Sequence, residues 1–481
     1  MKKRWVSILL MGFLLFNLAR PIEASENNEL QDEIIYDLLV DRFFNKGIQN
    51  DINVNSLDPN SFSGGDFAGL SSEMQYIKDM GFTMISVGPV FSATSYDGTA
   101  VVDYDELESR FGTQEEWEEV INKAHELDLK VMIDLPTQEL SEQNVWRESH
   151  PEWFVENENG TIALETANRE VQDQLIGQFE GFIEKYAIDG IRIKKADSLD
   201  PAFITRFSES LKSIRDLYVI SDDVTPPQDG LDAVVMPGIE TALRDSYKSF
   251  NPNETELSGS WEEAEGKLIQ VDSLLTSRFT ADTVQEGSFP PTRWKLLTFQ
   301  LLTMPGIPVI QYGSEIAVNG QTAPDTHPIL DLGVDEELID HIANLTSLRN
   351  QSAALRTGSM EVLHEEDGWF VYKRSNEEET WIIAINNSSS TQSLTLPASV
   401  VGDDKELRGL FENNIARQDE EGNYRITLDR ELGEAFNIIE QKGFNKAYIA
   451  ALVVLYISFL TFLFLAWRRG RKKKKAATGK K

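Results

Sequence analysis

Short apolar runs alternate with amphipathic stretches along about the first 350 residues of the chain. The amphipathic stretches, such as residues 114–127, 169–186 and 201–217, carry apolar residues at helical spacing, and the runs between them have the length of strands. The runs lie at residues 34–40, 84–90, 130–135, 190–193, 217–220, 233–236, weakly at 278–280, and at 308–312. Strands that alternate with helices favour a parallel sheet, so the pattern predicts a (β/α)8 barrel over residues 25–355, with a doubly wound sheet as the alternative.

From about residue 359 the pattern changes to a period of two. Apolar positions alternate within residues 369–373 and 381–385, between clusters of Asn, Ser and Gly. Such alternation is typical of strands with one buried face. We therefore predict a C-terminal antiparallel β-sandwich over residues 356–441.

The two ends of the chain have patterns of their own. Residues 1–24 combine Lys2-Lys3-Arg4, an apolar run at 5–18 and a small residue, Ala24, which predicts a secretory signal peptide, with an uncleaved anchor as the alternative. Residues 447–467 are uncharged and mostly apolar, long enough for a transmembrane helix. The basic residues at 468–481 are expected to stay in the cytoplasm, which predicts a single-pass cell-membrane protein with an extracellular ectodomain.

Charge and cysteine content narrow the function classes. The chain has 481 residues and a formal charge of −34. Residues 1–25 carry +3 and residues 447–481 carry +9, which leaves −46 for the middle. An acidic body argues against a nucleic-acid partner. The absence of cysteine excludes disulfides, cysteine-ligated zinc and thiol catalysis.

Several motifs occur in an order that resembles the α-amylase family of glycoside hydrolases, family 13. They are residues 35–45, the Gly64-Gly65-Asp66 turn within 62–70, residues 101–104 and 110–113, His150-Pro151-Glu152-Trp153-Phe154, and residues 302–315. The similarity covers residues 30–440. It implies a (β/α)8 barrel with a short inserted domain at about 136–168 after strand three, a C-terminal β-sandwich, and an α-glucan or maltooligosaccharide as ligand.

The resemblance assigns catalytic positions, but this chain departs from the family at most of them. Retaining hydrolysis needs two carboxyl groups about 5–5.5 Å apart. The strand-four motif Gly-Phe-Arg-x-Asp reads here Gly190-Ile191-Arg192-Ile193-Lys194, so Lys194 stands at the nucleophile position. An ammonium cannot attack an anomeric carbon to form the usual glycosyl ester. At the acid/base position after strand five the chain offers Asp222, or Asp223 if the register shifts by one.

The resemblance also assigns substrate contacts. Asp282 is matched to the transition-state stabiliser of the strand-seven motif Asn-His-Asp, and Arg192, Asp134 and Tyr96 to substrate binding. The motif histidines after strands three and seven are missing. We expect Arg192, Lys194, Asp134, Asp222 and Asp282 to form one mixed-charge cluster, which is either a satisfied ion network or the floor of a binding cleft.

A calcium site is the one cofactor that the resemblance implies. Its ligands would be Asn45, Asn50, Asp51, Asp66 and the Gly64 carbonyl, all hard oxygen donors. The alternative is a polar turn without metal.

Three functions follow. The first is an extracellular, membrane-anchored α-amylase-like protein that binds α-glucan without standard retaining activity. The second is an active membrane-bound α-glucan hydrolase in which Asp197 or Asp223 substitutes in a rearranged site. The third is a non-catalytic accessory or scaffold subunit of an envelope or transport complex, whose protein partner the sequence does not name.

Overall fold

A computed structural model describes residues 30–157, 160–224, 226, 228–252, 263–333, 336–441 and 446–478. The predicted signal peptide, residues 1–24, lies outside the described residues.

The first part of the chain is a parallel barrel. Its strands and the two small hairpins beside it are β1 Ile35–Asp37, β2 Met84–Ser86, β3 Phe91–Ala93, β4 Val101–Leu107, β5 Lys130–Leu135, β6 Phe154–Glu156, β7 Ile162–Leu164, β8 Gly190–Ile193, β9 Tyr218–Ser221, β10 Leu268–Ile269 and β11 Ile307–Gln311. The sheet order is β10-β11-β1-β2-β5-β8-β9, with parallel pairing throughout. Parallel bridges Ile220–Ala233 and Val235–Leu268 close the ring, so the predicted sixth strand is reduced to two bridges. The predicted barrel is confirmed.

Helices surround the barrel and cover its strands. They are α1 Val40–Phe43, α2 Phe67–Asp79, α3 Gln114–Glu126, α4 Val145–Ser149, α5 Arg169–Lys185, α6 Pro201–Ile214, α7 Ile239–Tyr247, α8 Phe279–Gln285, α9 Pro290–Thr303, α10 Glu337–Gln351 and α11 Ala353–Thr357. Their starts carry ordinary signals. Thr113 and Glu116 form a capping box at α3, and Asp200 caps α6 ahead of Pro201.

The prediction of strand seven at residues 278–280 is wrong. The strand is β10, ten residues earlier, and Arg278 instead precedes the first residue of α8. β10 has only two residues, too few to produce an alternating pattern, whereas the apolar side chain of Phe279 is buried against Trp294 of α9. Because the strand lies ten residues earlier than predicted, the residues that the sequence had placed directly after strand seven do not follow it.

The C-terminal domain is antiparallel, as predicted. Its elements are β12 Ser359–Glu366, β13 Trp369–Ser375, β14 Thr380–Asn386, β15 Gln392–Pro397, α12 Ala398–Val401, β16 Lys405–Gly409, β17 Ile415–Arg417, β18 Asn423–Leu428 and β19 Leu432–Glu440. A six-stranded sheet, β12-β13-β14-β19-β16-β17, is accompanied by the pair β15-β18. Trp369, Ile382, Leu407, Tyr424 and Phe436 share the domain's core.

A buried arginine of β13, Arg374, joins this domain to the barrel, and a second buried arginine, Arg349 of α10, bonds within the barrel beside it. The Arg349 guanidinium donates to the carbonyls of Leu302, Met304, Gly306 and Leu355, and Arg374 Nη1 donates to Thr303 O at 2.6 Å. The last carbonyls of α9 have no partner within the helix, so these guanidinium groups satisfy acceptors that would otherwise be buried unpaired.

The last element among the described residues is α13, Lys446–Thr478. Within it, Ala450–Arg469 is the one helix among the described residues that is long and apolar enough to cross a membrane. Its large apolar side chains, such as Leu455, Tyr456 and Phe462, are about two-thirds exposed in the isolated chain. The predicted C-terminal apolar helix is therefore present in the fold.

Candidate active site

A buried arginine on β8 organises the carboxyl ends of the barrel strands. Arg192 Nε and Nη2 donate to the two oxygens of Asp134, on β5, at 2.7 and 2.9 Å. Its Nη1 lies 2.9 Å from Asp37 Oδ2, on β1. The two bonds to Asp134 form a bidentate pair, which fixes the planes of the guanidinium and the carboxylate relative to each other. The pair leaves that carboxylate little capacity for another ligand.

Lys194 lies directly after the end of β8 and is only 6% exposed. Its Nζ is 3.2 Å from Asp222 Oδ2 and 3.6 Å from Asp134 Oδ2. Asp222 Oδ1 accepts the backbone N–H of Lys195 at 2.9 Å, from a residue held at φ 51° in the left-handed region. The ammonium therefore sits between two carboxylates rather than facing solvent.

The charges of this network stabilise one another. Burial alone would lower the pKa of Lys194, but the carboxylates of Asp222 and Asp134 outweigh it and raise that pKa. Burial alone would raise the pKa of Asp134, but Arg192 and Lys194 lower it below its usual value. For Asp37, burial outweighs Arg192 and the pKa rises. Lys194 is thus a cation, and Asp134 an anion, at neutral pH.

Asp223 is separate from this network. Its carboxylate accepts the hydroxyl of Ser221 at 2.5 Å. Burial, together with the neighbouring carboxylates of Asp222 and Asp197, raises the pKa of Asp223 to about 6. Asp222, and not Asp223, therefore faces Lys194, while Asp223 and Asp197 form a second pair of carboxyl groups.

Asp282 does not belong to the mixed-charge cluster, which corrects its assignment. It lies on α8, and its carboxylate pairs with Arg244 Nη1 at 2.7 Å. The carboxylate that does follow β10 is Asp272, which is 3% exposed and accepts from Phe279 N at 2.7 Å and from Arg244 at 3.0 Å. Both candidates are occupied by structural partners.

Tyr96 lies in the β3–β4 hairpin, at the same end of the barrel. The Arg42 guanidinium carbon is 3.9 Å from the centre of its ring. Its hydroxyl is 2.9 Å from Nδ1 of His327, whose Nε2 is 3.1 Å from Leu274 O. The predicted substrate contact is therefore hydrogen-bonded to a residue of the chain itself.

The predicted calcium ligands come together around two glycines. Asn45 Nδ2 is 3.1 Å from Asp51 Oδ1, and a side chain at Gly64, whose φ is 97°, would collide with both residues. Asn50 and Asp66 flank Gly47 in the same loop. Asp66 also caps α2, because its Oδ1 accepts from Gly69 N at 2.5 Å, and its Oδ2 accepts from Gly47 N of the loop at 2.8 Å. The donors suit Ca²⁺ chemically, although the part of the chain described here contains no group of three or more acidic or histidine side chains placed to hold a metal.

Comparison with known proteins identifies the family. Residues 37–160 match the model of the α-amylase catalytic domain and residues 358–436 that of the α-amylase C-terminal domain. The crystal structure of an Anoxybacillus α-amylase is 31% identical with a TM-score of 0.82, over 86% of this chain and 99% of that one. This chain belongs to the α-amylase family, glycoside hydrolase family 13. The α-amylase of Geobacillus thermoleovorans, solved in complex with acarbose, is 30% identical with a TM-score of 0.81, over 86% of this chain and 100% of that one.

One curated relative is much longer than this member of the α-amylase family. The β/α-amylase of Paenibacillus polymyxa is 25% identical over 79% of this chain, which spans only 36% of that protein. The activity of so different a whole protein is therefore no guide to this one.

Asp37 and His327, like Asp272, are residues at this end of the α-amylase-family barrel that the sequence did not predict. Asp37 is an acidic residue inside the first apolar run, and its position within a buried strand was the available signal. His327 follows strand eight in a polar loop, where nothing in the pattern indicates that it is buried to 3% exposure.

Proposed function

We propose that this chain is a membrane-anchored member of the α-amylase family that binds α-glucan at the cell surface and does not hydrolyse it. The single observation that carries the proposal is the position of Lys194 Nζ, 3.2 Å from Asp222 and 3.6 Å from Asp134. The family relationship and the acarbose complex of the Geobacillus relative support α-glucan as the ligand.

The geometry opposes both steps of retaining hydrolysis. The ammonium of Lys194 lies where the motif requires an anionic oxygen, so no glycosyl ester forms. A carboxylate paired with an ammonium, as Asp222 is, is poorly placed to donate a proton to the leaving oxygen. The positive charge of Lys194 also repels the oxocarbenium-like transition state.

Hydrolysis and binding are tested on the full chain in detergent. With soluble starch, maltodextrin or cyclodextrin we expect no reducing sugar above the buffer blank, and the same result for Asp222→Ala. Retention on insoluble starch is expected for both proteins. Sugar release that Asp222→Ala abolishes would contradict the proposed lack of hydrolysis. Failure to bind starch would refute α-glucan as the ligand.

A second candidate is a hydrolase with a rearranged site, which the Asp223–Asp197 pair favours. Two neighbouring carboxyl groups, one with a raised pKa, are the ingredients of acid–base catalysis. They lie beside the Lys194 network, however, and would require the sugar to sit outside it.

Asp223→Asn distinguishes this candidate by pH. A carboxyl group whose pKa rises from 3.8 to about 6 on folding lowers the free energy of unfolding as the pH rises between those two values. We therefore expect Asp223→Asn to stabilise the chain at pH 7 but not at pH 4 in thermal unfolding, with exposed Asp229→Asn as the unchanged control. An active rearranged site would, in addition, release sugar below about pH 6 in the wild type and lose this activity in Asp223→Asn.

We further propose that Asn45, Asn50, Asp51, Asp66 and the Gly64 carbonyl bind calcium. The ion would hold the loop after β1 against the Gly64–Gly65 turn. Saturating calcium is expected to raise the unfolding temperature by a few degrees over EDTA, since 100-fold excess over Kd contributes about 2.7 kcal/mol. Asp51→Ala should abolish the shift and Asp58→Ala, in the same loop, should keep it; equal unfolding temperatures with and without calcium would refute the site.

A further inference from the structure

A strap at residues 324–330 lies across the mouth of the barrel after β11. Three hydrogen bonds fix it, from Arg278 Nε to Thr326 O at 2.8 Å, from the Tyr312 hydroxyl to Pro328 O at 3.2 Å, and from Leu330 N to Arg42 O at 2.8 Å. These partners belong to the segments that follow β1, β10 and β11, Arg42 being in the short helix α1. The strap therefore covers the sector of the mouth that those neighbouring strands form.

His327 stands at the centre of the strap and uses both of its ring nitrogens. Its Nε2 is 3.1 Å from Leu274 O, so it carries the hydrogen, and Nδ1 accepts the Tyr96 hydroxyl at 2.9 Å. The ring thus connects the hairpin after β2 with the loop after β10.

Part of the Tyr96 ring surface that a sugar could contact is already covered by side chains of the chain itself. Arg42 covers one face of its ring at 3.9 Å, and the His327 ring lies 6.0 Å away at an angle of 67°. A sugar unit that entered between Tyr96 and Leu274 would have to displace His327 and break both of its hydrogen bonds.

We infer that His327, by filling the space between Tyr96 and Leu274, determines specificity and restricts the chain to internal stretches of long α-glucans bound at the outer surface of the barrel mouth. This inference rests on the proposed α-glucan binding. Short maltooligosaccharides depend on a few deep contacts and are excluded, whereas a long chain binds through many shallow ones.

Binding is compared for soluble starch and maltotriose with the full chain in detergent. We expect the wild type to be retarded by starch in affinity electrophoresis and to give no heat with maltotriose in calorimetry. His327→Ala should gain maltotriose binding by at least about tenfold, which corresponds to 1.4 kcal/mol. The matched control is His341→Ala, because His341 is half-buried and lies 3.0 Å from a single carbonyl, Lys295 O, away from the mouth. Maltotriose binding by the wild type as tight as its starch binding would overturn the inference.

Closure is also measured without any glucan. Carbethoxylation by diethylpyrocarbonate, mapped by mass spectrometry, should be slow at His327 and fast at His150, whose side chain is 42% exposed. Tyr96→Phe, which removes one hydrogen bond and keeps the ring, should accelerate the reaction at His327. Equal rates at His327 and His150 in the wild type would overturn the closure. Slow reaction at His327 in a chain that binds no starch would support the closure while refuting the proposed function.

Discussion

Replacement of Arg192 by methionine is expected to lower the free energy of unfolding by about 3–5 kcal/mol at pH 7. The guanidinium is 5% exposed and pairs with Asp37 and Asp134, which are 2% and 0% exposed. Methionine fills a similar volume to arginine, so the variant leaves little cavity. The loss in free energy of unfolding therefore comes from two buried carboxylates that have lost their cation. Lys194 lies 3.6 Å from Asp134 and compensates only in part. Denaturant unfolding of the full chain in detergent measures the change.

The pH dependence of this variant separates electrostatics from packing. Without Arg192, burial raises the pKa of Asp37 and Asp134 in the folded state, so the variant should recover stability as pH falls from 7 toward 5. Arg206→Met is the control, since its pair with the exposed Asp173 should be worth no more than about 1 kcal/mol. A loss of similar size in both variants, independent of pH, would contradict the account.

Deletion of residues 447–481 is expected to move the protein completely from the membrane pellet to the soluble fraction. Ala450–Arg469 provides 20 residues, about 30 Å of helix, which matches the hydrocarbon thickness of a bilayer. All backbone groups of such a helix are paired internally, so insertion carries no hydrogen-bond penalty. Carbonate extraction followed by immunoblotting is the measurement.

A double variant tests the membrane anchor, and a protease test checks its orientation. Charges at the bilayer centre cost about 2.5–3.5 kcal/mol each, so Phe459→Lys with Leu460→Lys should release the chain as the deletion does, and Ser458→Ala should not. Protease added to intact cells should digest the barrel and spare the basic tail. Retention of the deleted chain in the carbonate-washed pellet would refute the anchor, and protection of the barrel would refute the orientation.

The sequence was most informative where a local pattern repeats. Helical and strand periods along residues 30–350 and 359–440 predicted the barrel and the antiparallel domain, because burying one face of each element imposes those periods. The sequence pattern failed at β10, because two residues, Leu268 and Ile269, are too few to show a period. As a result Asp282, which lies on α8, was assigned to a site to which it does not belong.

The presence of a lysine, Lys194, at the nucleophile position was visible in the sequence alone. It is a change in the chemistry of one side chain within a recognisable motif. The partners of that lysine, the choice of Asp222 over Asp223, the third carboxylate Asp37 and the burial of His327 between Tyr96 and Leu274 were decided only by the tertiary structure. These contacts join residues that lie tens to hundreds of positions apart, and closure of the barrel brings them together at one end.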